Sequence, residues 1–343
     1  MGAQITVPSE TRHSGILGIG AFRPERVVTN EEICRTIDSS DEWIRTRTGI
    51  ESRRFAAENE NVVYMSIEAG RRALENSGVD PSEIGCIIVA TSTHLLLSPP
   101  AAPIVADALG LDGPGAFDLG AGCAWFCYGL ATASDMVRSG TANKVLVIGV
   151  EQLSVTTRPD DRGTRMIFGD GAGAMVIGLT DEPAIGPVVW GSDGSQWEAI
   201  RQDKDWLQYF ADLKEDPTAD RPWIAMTGIA VFRWAAFEMA KVAREALDKA
   251  GITAADLDVF VPHQANSRIT DLLAKSLELA EDIPVANDIA EAGNTSAASI
   301  PLAVEELLRT GKAKKGDTAL LLGFGAGLSF AGQVVTLPDA PAN

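Results

Sequence analysis

The chain predicts an α/β protein built from two similar halves, and three observations carry that reading. The segment ALENSGVDPSEIGCIIVA from Ala73 aligns without gaps on ALDKAGITAADLDVFVPH from Ala246. A second pair, GCAWFCYGLATASDMVRSG from Gly122 and GNTSAASIPLAVEELLRTG from Gly293, follows at almost the same spacing. After each of these, a lysine-containing loop leads into an apolar run, KVLVIGV from Lys144 and TALLLGF from Thr318. Strand, helix, strand, helix therefore recurs in one order, which is the mark of an internal repeat. Continuous β-branched runs suit buried strands, and helices between them give parallel βαβ units with right-handed crossovers. The two halves are expected to occupy residues 1–182 and 183–343.

Composition narrows the function. With 343 residues, 45% of them hydrophobic, the chain can bury a large core. A net charge of −18 repels nucleic acid and anionic membrane, so neither is expected as a partner. There is no run of about 18 apolar residues that could span a bilayer, and the N-terminus lacks the regions of a signal peptide. Residues 1–6 match the loose M-G-x-x-x-[ST] acylation pattern, which is too short to carry weight. Cys34, Cys86, Cys123 and Cys127 fit no disulfide framework at this length. Cys123 and Cys127 stand as a single C-x3-C pair in a chain with three histidines, so no zinc site is expected. Reduced thiols and a cytoplasmic setting follow.

The elements read in order. Ile16 to Ala21 is a first strand, and Asn30 caps a helical pattern, NEEICRTIDSS. DEWIRTRTGIESRR clusters Arg45, Arg47, Arg53 and Arg54 around Trp43. Ser66 to Ser77 has helical period, and Gly78 ends it. IGCIIVATSTH is a buried strand. FDLGAGCAWFCYGL then runs from strand through a glycine turn to Cys123 at a helix start. The dipole and unpaired N–H groups of a helix start favour a thiolate, and the same N–H groups can receive an oxyanion. A cysteine there is equally at home as a small core residue.

The duplication brings other residues to this point. Cys123 falls opposite Asn294, each at a helix start after a glycine. Packed about a pseudo-two-fold axis, equivalent helix starts can share one site. His263 ends the strand VFVPHQAN, where α/β sheets present ligand-binding groups. Two glycine-rich stretches, from Phe168 to Gly178 and from Gly323 to Val335, run into β-like segments, so the phosphate-loop context is missing. No G-x-S-x-G elbow occurs. The segment Gly191 to Pro222 has no counterpart in the first half, and such inserts are often lids or substrate-side loops.

Together DEWIRTRTGI, GCAWFCYGL, FGDGAGA, PHQANSRI and GNTSAASIP resemble β-ketoacyl-acyl-carrier-protein synthase III, from about Gly15 to Leu337. The likeness is greatest to actinomycete members that start fatty acid or polyketide synthesis. It implies a thiolase-like five-layered αβαβα fold and a homodimer. It implies that Cys123 takes an acyl group from acyl-CoA, and that the carbanion from decarboxylated malonyl-acyl-carrier protein then attacks the thioester. No metal or cofactor is implied. His263 and Asn294 would stabilise the enolate, and the N–H groups of Cys123 and Ala326 would hold the thioester oxyanion. Trp43, Arg47, Arg162 and Asn266 would bind the coenzyme, and Arg268 would dock the acidic carrier protein. Ser98, Trp125 and Phe168 would shape the acyl pocket.

The chain departs from the family at three of these, one being Ala326, where many relatives have glycine and the N–H donor survives the change. Trp125 stands where relatives commonly have glycine, and it either reshapes the pocket or packs at a dimer interface. Ser98 replaces a bulky aromatic of some acetyl-specific relatives and would leave room for a longer primer. A thiolase would need a second catalytic cysteine in GFGAGLSF, which has none. An acyltransferase of the same ancestry and a non-catalytic scaffold partner are the remaining alternatives.

Overall fold

The computed structural model describes residues 12–120 and 122–341, and the acylation pattern at residues 1–6 lies outside them. The first sheet has the strand order His13–Phe22, Asp170–Thr180, Lys144–Gln152, Cys86–Ala90, Gly115–Leu119. Cys86–Ala90 is parallel to both neighbours, and Asp170–Thr180 is antiparallel to both of its own. The second sheet repeats the scheme as Val259–Pro262, Thr318–Phe324, Ser329–Thr336, Val189–Ser192. Its first pair is parallel and the others antiparallel. A lone parallel bridge from Phe260 to Val285 stands where the first sheet has its Gly115–Leu119 edge. The parallel units are thus present, but each sheet is completed by antiparallel strands, built from the glycine-rich stretches. GFGAGLSF additionally turns once, as the 3₁₀ segment Ala326–Leu328, before its strand.

Helices sandwich these sheets. Val62–Ser77 and Ala101–Ala108 cover the first, packing Met65, Ala69 and Val105 among Ile87, Val89 and Val176. Gly228–Ala250 and Ser267–Ser276 cover the second, with Met239, Ala243 and Leu273 against Phe260 and Leu322. Trp125–Ser139 and Ser299–Arg309 lie between the sheets. There Phe126, Leu130, Ile300 and Val304 share one cluster with Ile88 and Val147 of one sheet and Val261 and Leu321 of the other. Burying such a side chain contributes roughly 1.5–3 kcal/mol, so apolar residues around much of their circumference hold these helices centrally. The result is five layers, αβαβα.

Local expectations shift in three places. Thr29, not Asn30, caps the first helix, its hydroxyl accepting from the Glu32 N–H. Asn30 is instead buried, donating to Asp41 and the Ile50 carbonyl and accepting from Arg53. Arg53 has therefore left the cluster around Trp43, and Arg45 is paired with Asp41 and Glu51. The helix expected from Ser66 begins a turn earlier, at Val62, capped by Asn61. The strand IGCIIVATSTH stops at Ala90, because Thr91, Ser92 and Thr93 turn their hydroxyls to the Glu151 carboxylate.

Candidate active site

Gly122, at φ +59°, turns the chain into the 3₁₀ segment Gly122–Ala124, which continues as the helix from Trp125. Cys123 is therefore one turn ahead of the α-helix. Burial pushes its thiol up to about 12, while hydrogen bonds with Ser296 and its own backbone pull the other way. Desolvation thus acts against the ease of ionisation expected from the helix start.

Two turns meet at the sulfur. A Cβ on Gly325 would lie 2.7 Å from the Cys123 nitrogen and 3.0 Å from Sγ. A Cβ on Gly122 would lie 2.8 Å from the Ala326 nitrogen. Missing side chains thus let the backbone of Cys123 and of Ala326 crowd together beside the thiol.

His263 follows the strand Val259–Pro262 and donates its backbone N–H to Leu322 O at 2.8 Å. Its ring is buried, edge-on to Phe324 with centroids 5.2 Å apart, and Nδ1 is 2.7 Å from Ser299 Oγ. Burial pushes the imidazole down to about 3, so it is neutral at physiological pH.

Asn294 forms a parallel bridge with Phe168, donating to Ile167 O at 2.9 Å and accepting from the Gly169 N–H at 3.0 Å. Its Oδ1 accepts from the Ser296 N–H at 2.8 Å, leaving Nδ2 as the donor available to the cavity that Asn294 lines. Asn294 is not at a helix start, as expected, but two residues before the 3₁₀ segment Ser296–Ala298; the helix begins at Ser299.

Cys123, His263 and Asn294 line one cavity of about 500 Å³. Trp125, Phe168, Asn266 and Ala326 line it too. Ser98, expected to reach the acyl pocket from a partner subunit, is exposed and does not line the cavity of its own chain, while Leu95 and Leu97 of the same loop do. The insert supplies a flap: Ile200–Gln202 pairs antiparallel with Ile224–Met226, and the helix Trp206–Glu215 lies between them in sequence. Ile200, Trp206 and Met226 line the cavity from this flap.

Outside the cavity, Arg162 stacks on Trp43 with Cζ 4.2 Å from the ring centre, and Arg47 lies at 5.9 Å. A flat ligand can use that face of Trp43 only if Arg162 moves aside. Asn266 joins this group to the cavity, donating from Nδ2 to Arg47 O at 3.0 Å. Arg268 is exposed, 5.2 Å from the ring centre of Phe232, a cavity residue. Sequence reasoning missed Ser296, Ser299 and Glu151. An acid ending the apolar run KVLVIGVE was the available signal for the last.

A thiol, a neutral imidazole and a carboxamide around one cavity, between duplicated halves, define a condensing enzyme of the thiolase fold. Residues 117–194 and 247–337 match the families described as "3-Oxoacyl-[acyl-carrier-protein (ACP)] synthase III" and its "C terminal". The chain is 57% identical over 335 residues to a mycobacterial β-ketoacyl-[acyl-carrier-protein] synthase III of Mycobacterium avium, covering 98% of this chain and 99% of the relative. It belongs to the β-ketoacyl-acyl-carrier-protein synthase III family. A β-ketoacyl-[acyl-carrier-protein] synthase III of Mycobacteroides abscessus is 59% identical, with 95% and 96% covered. Among solved structures, the priming β-ketosynthase of the R1128 polyketide pathway superposes with a TM-score of 0.95 at 47% identity, covering 99% and 100%. The synthase III of Aquifex aeolicus superposes at 0.86 with 37% identity, covering 94% and 100%.

Proposed function

We propose that this chain starts acyl chains in two stages at Cys123. The thiol takes an acyl group from acyl-CoA, forming a thioester and releasing CoA. Malonyl-acyl-carrier protein then loses carbon dioxide, and its carbanion displaces the cysteine to give a β-ketoacyl-carrier protein. The observation that carries this reading is the convergence of Cys123, His263 and Asn294 on one cavity. A thiolate serves both stages, as nucleophile and then as leaving group. A neutral His263 and Asn294 Nδ2 offer uncharged donors to the enolate oxygen, and the N–H groups of Cys123 and Ala326 suit the thioester oxyanion.

The coenzyme is assigned to Trp43, Arg47 and Arg162, with its pantetheine arm passing Asn266. The guanidinium groups suit its phosphates. Exposed Arg268 is assigned to the acidic carrier protein, because a local positive charge on a chain of net charge −18 steers such a partner. The apolar walls from Leu97, Trp125, Phe168 and Met226 favour a primer longer than acetyl. The open edge strand Gly115–Leu119 and exposed Leu95, Leu96 and Leu97 support a homodimer. The division into residues 1–182 and 183–343, a cytoplasmic setting, and the absence of a cofactor, nucleic-acid partner or membrane partner complete the reading.

Intact-protein mass after mixing with a panel of acyl-CoAs, then malonyl-carrier protein, tests it. One acyl adduct, absent in Cys123→Ala and discharged as β-ketoacyl product, is expected. Transfer without release of carbon dioxide would instead make the protein an acyltransferase. No adduct from any acyl-CoA would overturn the reading. Asn294→Asp is expected to slow decarboxylation more than acylation.

A further inference from the structure

In the strand Lys144–Gln152, Gly149 and Glu151 alternate with their neighbours and so share one face. Both meet the turn that follows Asn294. A Cβ on Gly149 would lie 2.2 Å from the Ala297 carbonyl oxygen, so the missing side chain lets the turn rest on the strand. Glu151, fully buried, accepts from the Ser296 hydroxyl through Oε1 at 3.2 Å.

The carboxylate is fixed before it meets that hydroxyl. Oε1 also accepts from the Ser92 hydroxyl at 2.9 Å and the Ser92 N–H at 3.2 Å. Oε2 accepts from the Thr93 hydroxyl at 2.6 Å, the Ser92 N–H at 3.1 Å and the Thr91 hydroxyl at 3.5 Å. Thr93 is itself held, accepting from the Gln152 N–H at 2.8 Å. None of these partners is a cation, and a buried carboxylate costs more than an apolar side chain in the same space. What it supplies in return is geometry: two oxygens tie residues 91–93 to Ser296, which no hydrocarbon can do.

Ser296 carries that geometry to the cavity. Its φ is +49°, a left-handed conformation that a non-glycine residue keeps only where its surroundings hold it. Its N–H donates to Asn294 Oδ1 at 2.8 Å. The two ends of a carboxamide have nearly the same shape, so a hydrogen-bond partner decides which end faces where. The backbone of Asn294 is anchored separately, by Ile167 O at 2.9 Å and the Gly169 N–H at 3.0 Å. With Oδ1 turned to Ser296, Nδ2 is the end left for the cavity.

We infer that Glu151 is a positioning residue for Asn294: through the Ser296 hydroxyl it holds the turn that aims Nδ2 at the enolate oxygen. The inference rests on the two-stage reaction proposed above and concerns its second stage. Asn294 and Ser296 line the cavity, whereas Glu151 does not, so Glu151 acts without touching substrate.

Two single-turnover assays separate the stages. Release of CoA from acyl-CoA reports acylation, and release of carbon dioxide from malonyl-carrier protein by the acyl-enzyme reports the second stage. Glu151→Leu removes both acceptor oxygens. It is expected to slow carbon dioxide release about 10-fold while CoA release changes by less than about 3-fold. Glu151→Gln keeps one acceptor for Ser296 and is expected to recover most of the lost rate. Ser296→Ala should show the same split as Glu151→Leu, and it decides the matter if Glu151→Leu does not fold. In an Asn294→Ala background neither change should slow carbon dioxide release further, because no carboxamide remains to be aimed. Equal losses in both stages, or the full loss repeated in that background, would overturn the positioning role. Native carbon dioxide release in Asn294→Ala alone would sink the assignment of Asn294, and the inference with it. Failure of the native enzyme to form any acyl adduct would instead sink the two-stage reading itself.

Discussion

His263 Nδ1 lies 2.7 Å from the hydroxyl of Ser299, the first residue of the helix between the two sheets, and both side chains are buried. A serine hydroxyl that donates to Nδ1 leaves the ring proton on Nε2, where a neutral imidazole needs it to donate to an enolate. Ser299 is thus placed to set the tautomer of a histidine it meets through the fold.

Ser299→Ala removes that control. A hydrogen bond of this type contributes about 1 kcal/mol net, and an unsatisfied buried partner costs more. Decarboxylation of malonyl-carrier protein should fall about 10-fold, with acylation of Cys123 little changed. Separate assays of the two half-reactions check the split.

Gly325 has an extended φ of 177°, so space alone forbids a side chain. In Gly325→Ala the new methyl must displace the Cys123 backbone or sulfur. Displacement by about 1 Å in a reacting group can cost about 100-fold. Rapid-quench acylation should show at least that loss, while far-ultraviolet circular dichroism stays native.

Trp125 lines the cavity, and its indole Nε1 is buried without a partner among the described residues. Trp125→Phe deletes the orphan donor and keeps most of the ring, so stability should hold or rise by up to about 1 kcal/mol, read by denaturant melts. Trp125→Gly opens the wall. It should reorder the ranking of acyl-CoA substrates, and an unchanged ranking would show that the indole has no part in primer choice.

The lowered His263 pKa fixes a sign for acid stability. Below about pH 6.5 the unfolded imidazole takes a proton, whereas the folded ring resists until about 3. Between those values the unfolded state binds more protons, so this residue's contribution is present above the window and lost as pH falls through it. The stability advantage of the native protein over His263→Ala should therefore shrink from about pH 7.5 to about pH 4.5 in urea melts.

The legible parts of the chain were those whose signal is local or repeated. The two paired segments exposed the doubled fold, and a glycine turn before Cys123 marked a sharp approach. Helix boundaries slipped where a cap was one residue off, as at Thr29 and Asn30. The site was harder to read. Glu151 looks like the polar end of a strand until Ser92, Thr93 and Ser296 close around it from distant segments. The desolvation that opposes the expected acidity of the Cys123 thiol comes from both halves at once and leaves no trace in the turn's own residues.

The central helices and the flap divide the cavity into parts with different freedom to vary. Cys123 leads directly into, and Ser299 begins, a helix clasped by both sheets, where a changed side chain disturbs the common core. Ile200, Trp206 and Met226 sit on a surface excursion whose helix buries no residue of its own. Mutation can therefore reshape the cavity wall in the excursion at little expense to folding, while the groups around the thiol stay fixed. A lineage built on this plan can diversify its products without reinventing its chemistry.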